Sequence, residues 1–367
     1  MKKFIVVGGG ILGASTAYQL VKKGAEVTIV DRRDKGQATD AAAGIVCPWL
    51  SQRRNKAWYQ LAKSGAQFYP ELIEELERDG ETETGYARVG AISLHKDEDK
   101  LLKMMERASA RKPDAPEMGE ITQLSKEETQ TLFPLLDKEF GSVQVSGAAR
   151  VDGRALRDSL ISGAKKNGAV FIEGEAQLEF NNKTVIGIKT DGRFIDADAV
   201  IVCAGAWANE LLHPLGIDLK VTFQKAQIIH MQMPEGNTDN WPVVMPPGSQ
   251  YLLAFENQRL VAGATHEDTE EFDTRITAGG MQEVLNKALE IAPGLSQATY
   301  LETRTGFRPF TPGFLPMIGQ VPGWEGILAA NGLGASGLTM GPYIGSQLAK
   351  LAMGEELDID LSLYSME

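Results

Sequence analysis

The chain has 367 residues, which is more than one ordinary hydrophobic core accommodates, so two domains are expected. Its formal net charge of −12 disfavours nucleic acid as a partner, because like charges repel. The sequence has no run of about 18 apolar residues, so no integral membrane segment is expected. Two cysteines without CxxC spacing predict neither a disulfide framework nor a metal site, and they favour a cytoplasmic location.

The chain begins with the pattern of a βαβ unit. Residues 3–8 form a short apolar run that is rich in β-branched residues and typical of a buried parallel strand. Residues 11–23 carry apolar side chains at helical spacing, and residues 26–31 predict a second strand that ends in an acid. Strand, glycine turn, helix and strand together predict a βαβ unit.

The glycine turn of this unit, residues 8–13 (GGGILG), fits the pattern GxGxxG. Gly8 permits the tight turn, Gly10 lets the backbone approach a pyrophosphate, and Gly13 lets the helix pack on the strand. Asp31 follows at the end of the second strand, where a carboxylate accepts hydrogen bonds from a ribose diol. The pattern predicts dinucleotide binding, with a purely structural glycine turn as the alternative.

The residues that follow bear on which dinucleotide binds. Arg32 and Arg33 could bind a ribose phosphate, which leaves NADP as a possible cofactor, although Asp31 would repel that phosphate. Two segments favour FAD. Small residues at 37–45 (QATDAAAGI) let the backbone pass a planar ligand, and a glycine-rich turn at 331–339 (NGLGASGLT) opens a second helix whose dipole can act on a flavin carbonyl. A plain tight turn is the alternative for each segment, and an NAD(P)-dependent dehydrogenase is the alternative enzyme.

The rest of the chain predicts further helices and two kinds of sheet. Residues 97–139 are charged and helical and are expected to form a solvated excursion outside the core. Residues 169–195 alternate like an antiparallel ribbon with a turn at Asp191-Gly192. Proline and glycine dominate residues 303–319, which predicts a rigid loop. The other predicted elements are helices at 56–79, 154–168 and 279–291, strands at 85–94, 198–205, 220–233, 250–264 and 326–331, and a last helix that ends near Leu351. The two chain ends are expected to meet in one domain.

Several ordered segments of the chain resemble the D-amino-acid oxidase (DAO) superfamily of flavoproteins, which includes glycine oxidase, sarcosine oxidase and D-amino acid dehydrogenase. The resemblance runs from Met1 to about Leu351, is strongest at the two ends, and is greatest to glycine oxidase. It rests on GGGILG, ATDAAAGI, VIVCAGAWAN at 200–209, RLVAGAT at 259–265, TGFRPFTPGFLPMIG at 305–319 and NGLGASGLTMGP at 331–342.

This resemblance implies an α/β fold of the glutathione reductase type, in which a Rossmann-like FAD-binding domain is interleaved with an antiparallel-sheet substrate domain. The FAD-binding domain would comprise residues 1–85, 147–215 and 302–367, and the substrate domain residues 86–146 and 216–301. FAD is expected to be noncovalent, because the cysteine that links flavin in some relatives lies in the C-terminal region, where this chain has none. Cys47 is expected to be inert. The implied FAD contacts are Gly8, Gly10, Ile11, Leu12, Gly13, Asp31, Arg32, Ala38, Thr39, Ala43, Gly44, Ile45, Ala176, Gly205, Trp207, Leu333, Gly334, Ala335, Ser336, Gly337, Leu338 and Thr339.

Arg308 is the main candidate for substrate binding. It lies in the sequence GFRP, where a rigid loop would hold a guanidinium for two parallel hydrogen bonds to a carboxylate. The resemblance adds Tyr251 and His266 on the substrate side and Lys225 near the flavin. The alternatives are a structural arginine, a packing tyrosine, a structural histidine and an exposed lysine. Glycine oxidase has a second arginine where this chain has Ala335, which puts glycine in doubt as the preferred substrate.

The predicted activity is FAD-dependent oxidation of a small amine or amino acid by hydride transfer to flavin, giving an imine and then a keto acid with ammonia or an amine. One alternative is a D-amino acid dehydrogenase that passes electrons to an acceptor other than oxygen. Another is a non-catalytic FAD-binding subunit. Oligomeric state stays open. The aromatic and basic stretch from Trp49 to Tyr59 is interpreted as part of an ordinary helix, with a membrane-surface role as the alternative.

Overall fold

The computed structural model describes residues 1–366. The α-helices of this range are α1 (Ile11–Lys22), α2 (Lys56–Arg78), α3 (Glu98–Arg111), α4 (Lys126–Leu132), α5 (Gly153–Lys166), α6 (Ala208–Leu212), α7 (Ala278–Ile291) and α8 (Gly337–Met353). Its strands are β1 (Lys3–Val7), β2 (Glu26–Asp31), β3 (Ile45–Val46), β4 (Ala91–His95), β5 (Ile121–Leu124), β6 (Gly141–Val145), β7 (Ala149–Arg150), β8 (Val170–Glu173), β9 (Gln177–Asn181), β10 (Thr184–Thr190), β11 (Arg193–Asp196), β12 (Ala199–Val202), β13 (Thr222–Gln232), β14 (Val243–Met245), β15 (Tyr251–Ala254), β16 (Arg259–Gly263), β17 (Glu267–Thr269), β18 (Thr299–Phe310), β19 (Met317–Gln320) and β20 (Ile327–Asn331).

A six-stranded sheet with the order β19-β20-β12-β1-β2-β8 carries the first glycine turn. Its strands pair in parallel except β19, and β1 lies between β2 and β12. Helices α1 and α8 pack closely against one another, because a Cβ on Gly345 would lie 2.8 Å from the Ser15 side chain. The Ser15 hydroxyl also donates to the Pro342 carbonyl at 2.8 Å. The predictions of a βαβ unit and of chain ends that meet in one unit are confirmed.

The second large sheet has nine strands, eight of them in the order β17-β13-β16-β15-β14-β4-β6-β5, with β18 paired to β13. It is antiparallel apart from the β14–β4 pair. The prediction of a loop from residue 303 is wrong, because residues up to Phe310 continue β18, and Gln224 lies directly across from Arg308. β18 is bordered by a ladder strand on one side only, and an edge strand tolerates a proline such as Pro309.

The prediction of a solvated excursion at residues 97–139 is also wrong. This segment supplies β5 to the large sheet. Phe133 is fully buried and Leu136 nearly so, in one hydrophobic core with strands β13 to β16. The charges of the segment lie on the outer faces of its helices, so a charged composition hid a buried apolar face.

The expected ribbon at residues 169–195 is confirmed in part. β9, β10 and β11 form a small antiparallel sheet, and its turn at Asp191-Gly192 has φ angles of 48° and 75°, as a two-residue hairpin requires. β8, which was expected in the ribbon, instead pairs in parallel with β2 at the edge of the six-stranded sheet.

The predicted domain division stays a prediction, although β18 crosses its boundary at residue 302. Within residues 1–366, no helix combines the length and the apolar character needed to cross a membrane.

Candidate functional site

A cavity of about 540 Å³ lies where α1 begins, beyond the carboxyl ends of β1, β2 and β12. This edge of a parallel sheet is where nucleotide cofactors bind in doubly wound folds. The cavity brings together residues from the start, the middle and the end of the chain. The residues lining it that were predicted from sequence are Gly8, Gly10, Ile11, Leu12, Asp31, Arg32, Ala38, Thr39, Ala176, Gly205, Trp207, Leu333, Gly334 and Gly337.

Glycine is required on the wall of this cavity. Gly8 has a φ of 104°, and a Cβ there would lie 2.4 Å from the Cys203 carbonyl oxygen. A Cβ on Gly13 would lie 1.8 Å from the Gly8 carbonyl oxygen, so Gly13 packs the helix against the strand and does not line the cavity. Gly10, the N-cap residue of α1, has no side chain that could accept a hydrogen bond from the N–H groups of the first turn. That turn also contains no acidic residue. The Ile11 N–H donates to Thr39, and those of Leu12 and Gly13 remain available to an anion.

Asp31 is buried at the end of β2 and is held in one orientation. The N–H groups of Gly9 and Arg33 donate to its two carboxylate oxygens at 2.5 and 2.6 Å, and the Gln37 amide donates at 2.9 Å. Beside it, the Thr39 hydroxyl accepts the Ile11 N–H at 3.0 Å. Gln37 was not among the sequence candidates. This arrangement fixes a carboxylate for a ribose diol and a hydroxyl beside the helix N-terminus.

Arg32 is surrounded by carboxylates. It forms ion pairs with Asp34 at 2.9 Å, Glu210 at 3.1 Å and Glu175 at 3.5 Å. These three acids offset its charge and would repel a phosphate on the ribose. The geometry therefore disfavours NADP in this cavity, in agreement with the interpretation that Asp31 opposes such a phosphate.

A smaller cavity of about 120 Å³ adjoins the first and shares Ile11, Ala38, Thr39, Gly334 and Gly337 with it. The Thr339 hydroxyl donates to the Ile45 carbonyl at 2.8 Å and ties the C-terminal turn to the early small-residue segment. The other predicted residues that line this cavity are Ala43, Gly44, Ile45, Tyr251, Arg308, Ala335, Leu338 and Thr339.

Among the residues that line the smaller cavity, Arg308 is the only one with a basic side chain. Its charge interacts with the Tyr251 hydroxyl, and its guanidinium lies 3.3 Å from Nδ1 of His266. Burial raises the pKa of Tyr251, and the Arg308 charge opposes that rise. In the described part of the chain, no carboxylate forms an ion pair with Arg308. The cavity thus holds a guanidinium without a protein counter-ion.

His266 contacts Arg308 but does not line either cavity. Its Nδ1 also lies 3.0 Å from the Gln224 side-chain oxygen. Burial and the neighbouring Arg308 lower the pKa of His266, which favours a neutral ring. The structure thus places His266 as a neighbour of Arg308, and a direct contact with substrate stays a prediction.

Two other predicted residues lie elsewhere. Ser336 lines neither cavity. Lys225 is buried, so the alternative of an exposed lysine is wrong. Its Nζ donates to the Arg275 carbonyl at 2.7 Å. Because Ala226 lines the smaller cavity, strand alternation directs Lys225 to the opposite face of β13. Its expected position near the flavin stays a prediction.

Sequence reasoning missed Ala226 and Gly306 on the wall of the smaller cavity. A Cβ on Gly306 would lie 2.9 Å from the Ala41 Cβ, so glycine lets β18 approach the small-residue turn. The signal was the alternation of residues 304, 306 and 308, which a strand interpretation of this segment would have used.

Cys47 is buried, and burial raises the pKa of its thiol to about 12. A thiol that stays protonated at neutral pH is a poor nucleophile. This agrees with the expectation that Cys47 is inert.

Comparison with known proteins gives consistent matches over the whole chain. A family model described as "FAD dependent oxidoreductase" (DAO) matches residues 3–351. "Uncharacterized oxidoreductase YurR" of Bacillus subtilis is 63% identical over 99% of this chain and 98% of its own length. The crystal structure of iminodiacetate oxidase from Chelativorans sp. BNC1 is 46% identical, with a TM-score of 0.96 and coverage of 99% of this chain and 98% of that one. "Glycine oxidase" of Pseudomonas aeruginosa is 30% identical over 99% of this chain and 98% of its own length.

Proposed function

This chain belongs to the DAO family of FAD-dependent oxidoreductases, and on that premise we propose that it oxidises the carbon–nitrogen bond of a small amino acid whose carboxylate binds Arg308. The observation that carries the proposal is the Arg308 guanidinium, which lacks a protein counter-ion and lies beside Tyr251 in a cavity that adjoins the glycine turn. Arg308 is partly exposed, so an incoming carboxylate can reach it and pair with its charge.

The family implies FAD, and the residues of the larger cavity fit it. Asp31 would bind the ribose, and the first turn of α1 with Thr39 would bind the pyrophosphate. The small residues at 43–45 and the turn at 334–339 would lie along the isoalloxazine ring. When bound, FAD supplies the two-electron oxidation.

The protein contributes mainly orientation. Arg308 binds one carboxylate through two parallel hydrogen bonds, which fixes the plane of the substrate. Tyr251 lines the same cavity, and its hydroxyl interacts with the Arg308 charge. His266, as a neutral ring against Arg308, adds no competing positive charge. The substrate amine must be neutral to be oxidised, so we expect turnover to rise as pH approaches the amine pKa.

Two relatives narrow the substrate class. Iminodiacetate, in the name of one of them, is a glycine that carries a second carboxymethyl group on nitrogen, and glycine is in the name of another. Ala335 lines the smaller cavity without charge, which leaves room for a substituent on the substrate nitrogen. We therefore place N-substituted glycines, with iminodiacetate first, ahead of glycine.

The test of the carboxylate anchor is Arg308→Ala. We expect kcat/KM to fall about 10- to 100-fold, because hydrogen bonds to charged groups contribute about 1.5–3 kcal/mol. FAD content, measured from flavin absorbance, should not change. Arg193→Ala on the exposed strand β11 is the matched control and should retain full activity. Near-wild-type kcat/KM in the Arg308 variant would refute the anchor.

The test of the substrate class is anaerobic bleaching of bound flavin by iminodiacetate, N-methylglycine, glycine and D-alanine at equal concentrations. Faster bleaching by the two N-substituted glycines supports the proposed ranking. Bleaching by none of the four would refute amino-acid oxidation itself. Turnover with oxygen and with a quinone would then separate an oxidase from a dehydrogenase.

A further inference from the structure

A third cavity, of about 490 Å³, lies apart from the two described above and shares no lining residue with them. It forms between the segment that leads into α2 and the last turns of α3. Basic side chains dominate its wall. The lining residues are Gln52, Arg53, Arg54, Asn55, Lys56, Tyr59, Arg107 and Arg111.

The five cations of this cavity have no acidic partner. Over residues 1–366, none of them takes part in an ion pair, although the chain as a whole is acidic. The acids near Tyr59 are Asp114 and Glu117, and Glu117 instead accepts a hydrogen bond from the Trp49 indole at 3.4 Å. Concentrated positive charge without compensation is unfavourable in the absence of a bound anion.

Two polar atoms of the cavity residues are buried without a hydrogen-bond partner. They are Nε of Arg107 and the hydroxyl of Tyr59. Such atoms are rare in folded proteins because each loses its bonds to water and gains none in return. Both are donors, which is what a ligand with anionic oxygens requires.

The cavity is supported by a fixed framework. The Arg111 guanidinium donates to the carbonyls of Trp49 and Ser51 at 2.5 and 2.8 Å and lies 4.6 Å from the centre of the Tyr59 ring. Arg53 lies 4.7 Å from the centre of the Trp58 ring. These contacts hold part of the cation set in place before a ligand arrives, which lowers the entropy cost of binding.

The N-terminus of α2 adds to the positive potential. This helix has 23 residues, begins at Lys56, and has no acid in its first turn. Its N-cap, Asn55, lines the cavity. The positive end of a long helix dipole therefore points to the same place as the five cations.

We propose that this cavity binds a small anion with two or more negative charges, carried by phosphate or carboxylate groups. Arg54, Lys56 and Arg53 are exposed and provide the entrance, while Arg107 and Tyr59 provide the buried donors. A membrane surface does not fit as well, because Trp49 and Trp58 are buried and present no apolar side chain to lipid.

Titration calorimetry on the FAD-loaded protein tests the site, with inorganic pyrophosphate and citrate as separate probes at constant ionic strength. We expect at least one probe to bind, and the two arms to distinguish phosphate from carboxylate. Arg107→Gln should weaken binding at least tenfold, and so should the double variant Arg53→Gln/Arg54→Gln, in which both replaced side chains are exposed. Arg193→Gln is the matched control with the same change of charge and should bind as wild type does.

Flavin absorbance is recorded throughout, because pyrophosphate could also act at the cofactor. Binding that the cavity variants weaken while the flavin spectrum stays constant supports the proposal. Equal affinity in wild type and in the cavity variants, absence of binding for both probes, or binding only to vesicles of anionic lipid would overturn it.

Discussion

The two adjoining cavities of the site are built in different ways. The larger depends on glycine at its wall, where Gly8 and Gly10 leave main chain without side chains. The smaller adds two side chains from the nine-stranded sheet, Arg308 and Tyr251. Changes in the first should therefore decide whether cofactor is retained, whereas changes in the second should alter turnover by a protein that still contains it.

The strongest challenge to this division is Gly8→Ala. Its Cβ would meet the Cys203 carbonyl oxygen at 2.4 Å, so the turn must move and the purified protein should lose its flavin colour. Gly24→Ala is the matched control, because Gly24 also has a positive φ, of 79°, but no atom lies within 4 Å of the added Cβ. The control should cost about 1 kcal/mol of stability and retain flavin. Full flavin content in the Gly8 variant would break the comparison.

His230 is a buried polar residue on β13 of the nine-stranded sheet. Burial, together with the Arg304 and Arg259 charges, lowers the pKa of His230 to about 3. Between the ordinary pKa of about 6.5 and this lowered value, His230 is protonated in the unfolded chain but neutral in the folded chain. The free energy of unfolding should therefore decrease as pH falls from about 6.5 towards 3.

His230→Gln removes this dependence. Between pH 7 and 5, wild type should lose about 2 kcal/mol more than the variant, since one pKa unit corresponds to about 1.4 kcal/mol. Thermal unfolding followed by circular dichroism at both pH values measures the difference. Parallel pH profiles would show that His230 is charged in the folded protein.

Arg308→Lys sharpens the comparison within the smaller cavity. Lysine keeps the positive charge but loses the planar fork, so kcat/KM should fall about tenfold, less than in Arg308→Ala, at unchanged flavin content. Steady-state kinetics with the amino acid that bleaches flavin fastest provides the measurement. A loss as large as that of the alanine variant would show that geometry, and not charge, decides the interaction.

Tyr251→Phe should have the smallest effect. It removes the hydroxyl that interacts with the Arg308 charge and keeps the ring that packs against Gly263, so we expect about a fivefold increase in KM with little change in kcat. A large fall in kcat with constant KM would instead assign Tyr251 to the chemical step.

The part of the larger cavity around the start of α1 could be predicted from sequence because its determinants are local. The glycine turn, the strand before it and Asp31 lie within one short stretch, and each glycine is explained by main-chain sterics. For the smaller cavity, the sequence identified individual residues but not how the fold brings them together. Arg308 was identified, but its placement depends on the pairing of β13 with β18, strands separated by more than sixty residues. Proline and glycine in that strand favoured a loop, and the edge position that makes them tolerable is a tertiary property.

The third cavity was beyond sequence reasoning for a related reason. Arg53 lies in the segment before α2 and Arg107 lies on α3, and charge patterning alone predicts only solvated positions for both. Likewise, the charged composition of residues 97–139 concealed Phe133, whose burial depends on a sheet formed by strands far away in the chain.

The close packing of α1 on α8, with Gly345 against Ser15, has a consequence for biosynthesis. Helix α1 is synthesised long before α8, the helix that packs against it. The nucleotide cleft of a nascent chain therefore stays incomplete until α8 has been synthesised. Cofactor acquisition should be completed only after α8 has emerged from the exit tunnel.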